Sequence, residues 1–387
     1  MFSRRTNWNL ATNRYTEAMA AHRRSGRELL DLTASNPTIV GLAYETEKIL
    51  AALASPQALT YEPVAKGLLP AREAVAAYYR ERDIGLDPEQ LILTTSTSEA
   101  YTFCFRLLCE PGDEVLVPTP SYPLFDFLAD LQDVRLVPYE LLYDHGWQID
   151  CHGLEQKLTT RSRAVIVVHP NNPTGTFVKP YEMKQLANLC AAKEMAIIAD
   201  EVFFDYSVGE IAKSFASNET CLTLMMSGLS KISGLPQMKV AWLAVSGPAA
   251  LKSNALGRLD VIADTYLSMN APIQHAVPAL LKERHSIQQQ LNARVRANLA
   301  ELDRQLATQR PVSRLVLEGG WYAILRVPAT CSDEDLAIEL ISQHDVLIQP
   351  GHFYDFPHDG YLVLSLITPG AAFCEGLSRL LRHVTTL

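Results

Sequence analysis

Four short segments hold residue types that can do chemistry together. Lys231 lies in "SGLSKISGLP", directly after the apolar run "LTLMMS". A lysine at the exit of a buried strand can reach a bound carbonyl compound and form an imine with it. Its free pKa of about 10.4 falls on burial near other cations. The plain alternative is a surface lysine in a loop. Asp200 ends the apolar run "MAIIAD". A carboxylate at the tip of a buried strand must find a partner or lose its charge. A protonated pyridine nitrogen is one such partner, and a helix N-cap is the other reading. Asn172 sits in "HPNNPTG", where Pro173 and Gly175 shape a turn and the amide can donate to a phenolate oxygen. An ordinary turn has the same sequence. Ser96, Thr97 and Ser98, in "TTSTSEA", pair hydroxyls with the backbone N–H groups of a starting helix. That combination suits an anion such as phosphate, and it also suits a simple Ser/Thr cap.

Each segment follows an element that would position it. "LILTT", "EVLVP", "AVIVVH", "AIIAD", "LTLMMS" and "VAWLAVS" are short, apolar throughout and bounded by Pro, Gly or polar residues. They read as strands buried on both faces. Helical patterns such as "SEAYTFCFRLLCE" and "KPYEMKQLANLCAAKEM" separate them. This alternation predicts an α/β fold whose mostly parallel sheet is sandwiched by helices, with ligand chemistry beyond the carboxyl ends of the strands. From residue 271 the pattern changes. "IQHAVPALLKERHSIQQQLNARVRANLAELDRQLA" predicts a long helix with Pro278 as its point of interruption, followed by shorter strand and helix units. We expect a large domain over residues 40–270 and a smaller α+β domain built from both termini, 1–39 and 271–387.

Bulk composition excludes several function classes. A chain of 387 residues suits two domains, and 48% hydrophobic with 20% charged residues describes a globular protein. The net charge of −9, without a basic block, argues against nucleic acid or an anionic membrane as partner. The seven cysteines form no C-x-x-C pair and the ten histidines no H-E-x-x-H, so neither a disulfide framework nor a metal site is expected. No apolar run approaches a membrane span, and "MFSRRTNWNL" has no apolar stretch behind its arginines. The expected compartment is the cytoplasm.

Taken in order, these segments make the chain resemble the class I/II aminotransferases, pyridoxal-phosphate (PLP) enzymes of the aspartate aminotransferase fold, also called fold-type I. The likeness also runs through "LDLTASNPT", "LTYEPVAKGLLPAREAVAAYY", "EPGDEVLVPTPSYPLF", "ADEVFFDY" and "GGWYAILRVP". It implies that Lys231 is the Schiff-base lysine and proton shuttle and that Asp200 pairs with the pyridine nitrogen. It implies that Tyr122 stacks on the ring, Asn172 bonds the phenolic oxygen, and Ser96, Thr97 and Ser98 hold the phosphate. Asn36, Tyr122 and Asn172 would also face substrate. Tyr61 would reach the phosphate of a neighbouring subunit, which implies a homodimer with shared active sites. The implied reaction is ping-pong transfer of an amino group from a small-molecule amino donor to an oxo acceptor. β-Elimination of a carbon–sulfur bond and decarboxylation on the same fold are the alternatives. A PLP-binding regulator would need a DNA-binding module before the large domain, and a dinucleotide oxidoreductase would need a G-x-G-x-x-G that the chain lacks.

Three positions depart from the family pattern. Phe203 stands where a tyrosine usually donates to the cofactor oxygen. Lys239 replaces a phosphate-binding arginine and keeps the charge without the planar fork; Gln237 precedes it. Val363, in "YLVLSLITP", occupies the place of the arginine that clamps a substrate α-carboxylate. Either the donor lacks that carboxylate or another cation serves. Arg326 in "WYAILRVP" is one candidate, and a surface position is its alternative reading.

Overall fold

The computed structural model describes residues 1–209, 212–308 and 310–386. Its largest sheet contains β1 (Leu91–Thr94), β2 (Glu114–Thr119), β3 (Arg135–Tyr143), β4 (Trp147–Ile149), β5 (Ser162–Val168), β6 (Ala196–Asp200), β7 (Thr223–Gly228) and β8 (Ala241–Ser246). The spatial order is β1-β8-β7-β6-β5-β2-β3-β4. Strands β3, β2, β5, β6 and β7 run parallel to one another, whereas β4 is antiparallel to β3, and β8 is antiparallel to both β7 and β1.

Alternation explains how apolar runs build two cores from one sheet. Successive side chains of a strand point to opposite faces. Accordingly, Val165, Val167, Ile197, Ala199, Met225 and Trp242 join one apolar cluster. Ala164, Ile166, Ile198, Leu224, Met226 and Leu243 join the other. Both faces are covered, so neither set of positions tolerates charge until the strand ends. That is where the chemistry-bearing residues begin.

A second, antiparallel sheet follows, made of β9 (Ser313–Arg314), β10 (Tyr322–Arg326), β11 (Gln349–Pro350) and β12 (Tyr361–Ser365), in the order β9-β10-β12-β11. The N-terminal chain joins this region. Leu30–Asp31 pairs in parallel with Val346–Leu347, and helix Arg14–Ser25 packs on helix Asp333–His344.

The expected interruption at Pro278 is corrected. Helix Ala271–Lys282 runs through Pro278, and the chain breaks at Glu283 before helix Arg284–Leu306. A proline removes one backbone donor but fixes φ near the helical value. Here the turn around it is anchored by Ala276, Val277, Leu280 and Leu281, all buried. The same helix packs on helices Thr46–Leu53 and Leu69–Arg80.

Candidate active site

Strand register brings the candidate segments to one edge. Thr94 of β1 is level with Ala241, and Ala241 with Gly228 of β7. Asp200 is level with Met226 on one side and Val168 on the other. Because β1 and β7 are both antiparallel to β8, the carboxyl ends of β1, β7, β6 and β5 point the same way. The loops after them carry Ser96–Ser98, Lys231, Phe203 and Asn172, in that spatial order.

Lys231 belongs to a four-residue helical turn, α1 (Leu229–Ile232), held from three sides. Tyr206 Oη donates to its carbonyl at 2.6 Å, Gln288 Nε2 to that of Ile232 at 2.9 Å, and Tyr44 Oη to that of Gly234 at 2.7 Å. Gly228 before the turn lets β7 and β8 approach, since a Cβ there would lie 2.7 Å from the Val240 carbonyl oxygen. The ammonium is carried over two rings, 4.9 Å from the centre of Trp321 and 5.2 Å from that of Phe203. Burial lowers its pKa to about 8, against the pull of the Asp200 carboxylate, which raises it. Lys231 is thus half-buried against these rings rather than a free surface lysine.

Asp200 is buried at the end of β6. Its Oδ2 accepts from Tyr101 Oη and its Oδ1 from the Val202 amide, each at 3.1 Å. Burial raises its pKa to about 6 despite these donors. No helix starts at this residue, so it is not a helix N-cap.

In the turn after β5, Asn171 rather than Asn172 does the shaping. Asn171 Oδ1 accepts from the Thr174 amide and hydroxyl at 3.3 and 3.0 Å, and Gly175 N–H returns to the Asn171 carbonyl at 2.7 Å. Gly175 has φ +67° and presses against Leu317 and the Gly319 carbonyl, where any Cβ would collide. Asn172 is left with a buried side-chain oxygen that bonds nothing among the described residues.

Helix Thr97–Leu108 opens the anion site. Ser96 is its N-cap and accepts from the Glu99 amide at 3.2 Å, while Glu99 Oε2 accepts from the Thr95 amide at 2.6 Å. Ser96 is therefore also a cap. The hydroxyls of Thr97 and Ser98 bond no protein group among the described residues and remain available at the positive end of a three-turn helix. Lys239 is exposed, in a left-handed conformation at φ +52°. Gln237 is exposed beside it.

Tyr122 stands half in solvent, its pKa raised by burial and then by Asp200. Phe203 is buried, edge-on to Trp321 at 5.2 Å. Asn36 is exposed and caps a short turn, accepting from the Thr38 amide and hydroxyl at 3.0 and 2.7 Å. Tyr61 is 76% exposed in this chain, away from Lys231's own contacts. Val363 is fully buried in β12. Arg326 lies at the exposed end of β10 with its guanidinium near the rings of Tyr143 and Tyr361, at 5.8 and 6.0 Å. It is a surface residue and does not reach Lys231.

The family model for aminotransferase class I and II matches residues 27–368. The chain belongs to this family. An alanine aminotransferase of Mycobacterium tuberculosis (strain H37Rv) is 29% identical over 380 residues, 92% of this chain and 85% of that one. Glutamate-pyruvate aminotransferase AlaA of Haemophilus influenzae is 27% identical over 344 residues, 86% and 84% of the two chains. The solved alanine aminotransferase from Pyrococcus furiosus superposes with a TM-score of 0.88 over 100% of both chains, at 22% identity, and so shares the fold. As a class I/II aminotransferase, the protein is a PLP-dependent transaminase.

The residues of the site fit that cofactor. A helix N-terminus with two free hydroxyls suits the phosphate, a desolvated carboxylate suits a cationic ring nitrogen, and the Nδ2 donor of the Asn172 amide suits the ring oxygen. Three neighbours of the candidate residues were not singled out by sequence: Tyr101, which holds Asp200; Trp321, whose ring lies under the Lys231 ammonium; and Tyr322, edge-on to Phe203 at 6.1 Å. Trp321 and Tyr322 lie in the "GGWYAILRVP" segment, but nothing in their spacing marks them as neighbours of Lys231.

Proposed function

We propose that this aminotransferase holds PLP on Lys231 and passes an amino group from a small-molecule donor to an oxo acid in two half-reactions. The cofactor supplies an electron sink for charge that develops at the substrate carbon. The chain supplies the rest. Asp200 keeps a proton on the ring nitrogen, because a buried carboxylate is ionised most favourably beside a cation. Asn172 bonds the ring oxygen, and Tyr122 covers the ring. Ser96, Thr97, Ser98 and Lys239 hold the phosphate. Asn36 borders the substrate space. Lys231, with its pKa near 8, is neutral often enough around that pH to accept a proton at the substrate carbon and return it.

We further propose a cytoplasmic homodimer in which Tyr61 enters the neighbour's site, with a large domain over 40–270 and a small one from both termini. Exposed apolar side chains support the dimer. Leu59 and Leu69 belong to elements that flank helix Ala271–Lys282, and both, like Tyr61, stand open to solvent.

The observation that carries this reading is the Lys231 ammonium, desolvated over two rings at the sheet edge next to Asp200. Borohydride reduction of the holoenzyme and peptide mapping should place the pyridoxyl label on Lys231. Label on a different lysine defeats the reading. Ammonia release from a β-substituted amino acid without an oxo acceptor would identify a lyase instead.

A further inference from the structure

A helical turn as short as α1 cannot hold itself in place. The carbonyls at its end lack enough N–H groups of their own and need donors from outside. Three side chains supply them: Tyr206 to Lys231, Gln288 to Ile232 and Tyr44 to Gly234. Two of these donors are phenols, which rotate a hydroxyl to suit. The third is an amide, whose two ends have the same shape and opposite hydrogen-bonding character. Gln288 supports the turn only while its nitrogen faces Ile232, so something must fix which way the amide lies.

Asp205 fixes it. Gln288 Nε2 also donates to Asp205 Oδ2, so both groups in front of the amide are acceptors and both demand its nitrogen. The other carboxylate oxygen, Oδ1, accepts from Tyr78 Oη at 2.7 Å and from the Arg82 guanidinium. The Asp205 side chain is only 1% exposed, and Arg82 is stacked over the Tyr78 ring at 4.5 Å from its centre. A buried ion pair adds little net stability, because desolvation offsets the attraction. It does place an immobile anion behind Gln288. Asp205 and Tyr206 also lie on the loop that begins at Asp200. One short segment therefore carries the carboxylate at the end of β6 and braces the turn that bears Lys231.

Resting on the reading of Lys231 given above, we propose that Asp205 and Gln288 are positioning residues for that lysine. Asp205, held by Arg82, orients the Gln288 amide, and Gln288 pins the carbonyl next to Lys231. They act through the backbone of the turn rather than on the amine itself. A turn pinned in this way keeps the amine over Trp321 and Phe203, where it is short of water. A turn released on this side can swing the amine outwards. The ammonium then regains water, gives up its proton less readily and stands off from the reacting carbon.

The test follows imine formation between PLP and the full-length protein by absorbance from pH 6 to 10, since only the neutral amine reacts. The wild-type rate should be half-maximal near pH 8. In Gln288→Leu the midpoint should rise by about one unit or more, a loss of about tenfold in rate at pH 7. Asp205→Asn should act in the same direction: its amide nitrogen must face either Gln288 or the Tyr78 and Arg82 donors, so the Gln288 amide turns over and Ile232 loses its bond. Loss of the anion alone would lower the midpoint, so a rise in both variants separates positioning from charge. A merely structural role would lower the urea midpoint and leave the rate profile of the folded protein unmoved. In the first half-reaction with L-alanine as probe, kcat should fall about 100-fold with KM held within about threefold. A midpoint that rises by less than half a unit in Gln288→Leu, or falls, overturns the proposal; if borohydride label still sits on Lys231, the lysine reading stands. Label elsewhere overturns both. Gln288→Leu decides even where Asp205→Asn does not fold, and the pH profile decides even where L-alanine is a poor donor.

Discussion

Replacing Asp200 by asparagine should stabilise the cofactor-free protein while disabling the loaded one. Asp200 is buried, and its pKa rises from an ordinary 3.8 to about 6. That displacement means the fold disfavours the ionised form by roughly 3 kcal/mol. The folded protein binds more protons here than the unfolded chain. Stability therefore falls as pH rises from about 4 to about 6 and stays reduced above that. Asparagine keeps the shape and removes the charge. It has one oxygen for two donors, Tyr101 Oη and the Val202 amide, so one hydrogen bond must rearrange at a cost of about 1 kcal/mol. The net expectation is an apoprotein more stable than wild type by about 2 kcal/mol at pH 8, with the advantage vanishing by pH 4. Urea unfolding of both apoproteins at pH 4, 6 and 8 measures the difference directly, and buried groups common to the two cancel. With PLP bound the order should reverse, because the ring nitrogen loses its anion. An asparagine variant with no pH-dependent difference from wild type would refute the claim that this carboxylate is desolvated and waiting for a cation.

Two further outcomes follow from the same surroundings. Glu201, buried next to Asp200 and bonded by Ser214 Oγ and the Phe215 amide at 2.7 Å each, has its pKa raised by burial to about 8. Stability lost through it continues up to that pH, so Glu201→Gln should flatten the fall in apoprotein urea midpoint between pH 7 and 8, a window in which Asp200, with its pKa of about 6, is already almost wholly ionised; an unchanged slope there counts against it. Phe203→Tyr should return a phenol to the cofactor's ring oxygen and lower the pKa seen in the absorbance titration of the holoenzyme by about one unit, the effect of a single hydrogen bond. An unchanged or raised value would mean that another group already serves that oxygen.

How much could be read from the chain depends on whether a signal is local. β5, β6, β7 and β8 were legible because burial on both faces leaves an unbroken apolar run. β3 was not: Arg135, Pro138 and Glu140 are exposed along it, and Pro138 argues against a strand. Lys231, Asp200, Asn172 and Ser96–Ser98 stand out in the sequence because each lies at or within a few residues of the end of its strand; parallel pairing, with β1 aligned through the antiparallel β8, then carries all of them to one edge. The rings around Lys231 obey no such rule. Trp321 and Tyr322 come from the start of β10, far along the chain, and only the tertiary fold brings them to Lys231 and Phe203. Arg326 shows the same limit from the other side. Four residues along β10 from Tyr322 amounts to about 14 Å at a strand's rise, enough to carry a guanidinium from the rings near Phe203 to the surface. Val363 therefore acquires its meaning from its neighbours. A valine in a strand is ordinary, but this one is fully buried between Ile324 on one neighbouring strand and Gln349 on the other, so the strand position where the family pattern has an arginine is held here by packing alone.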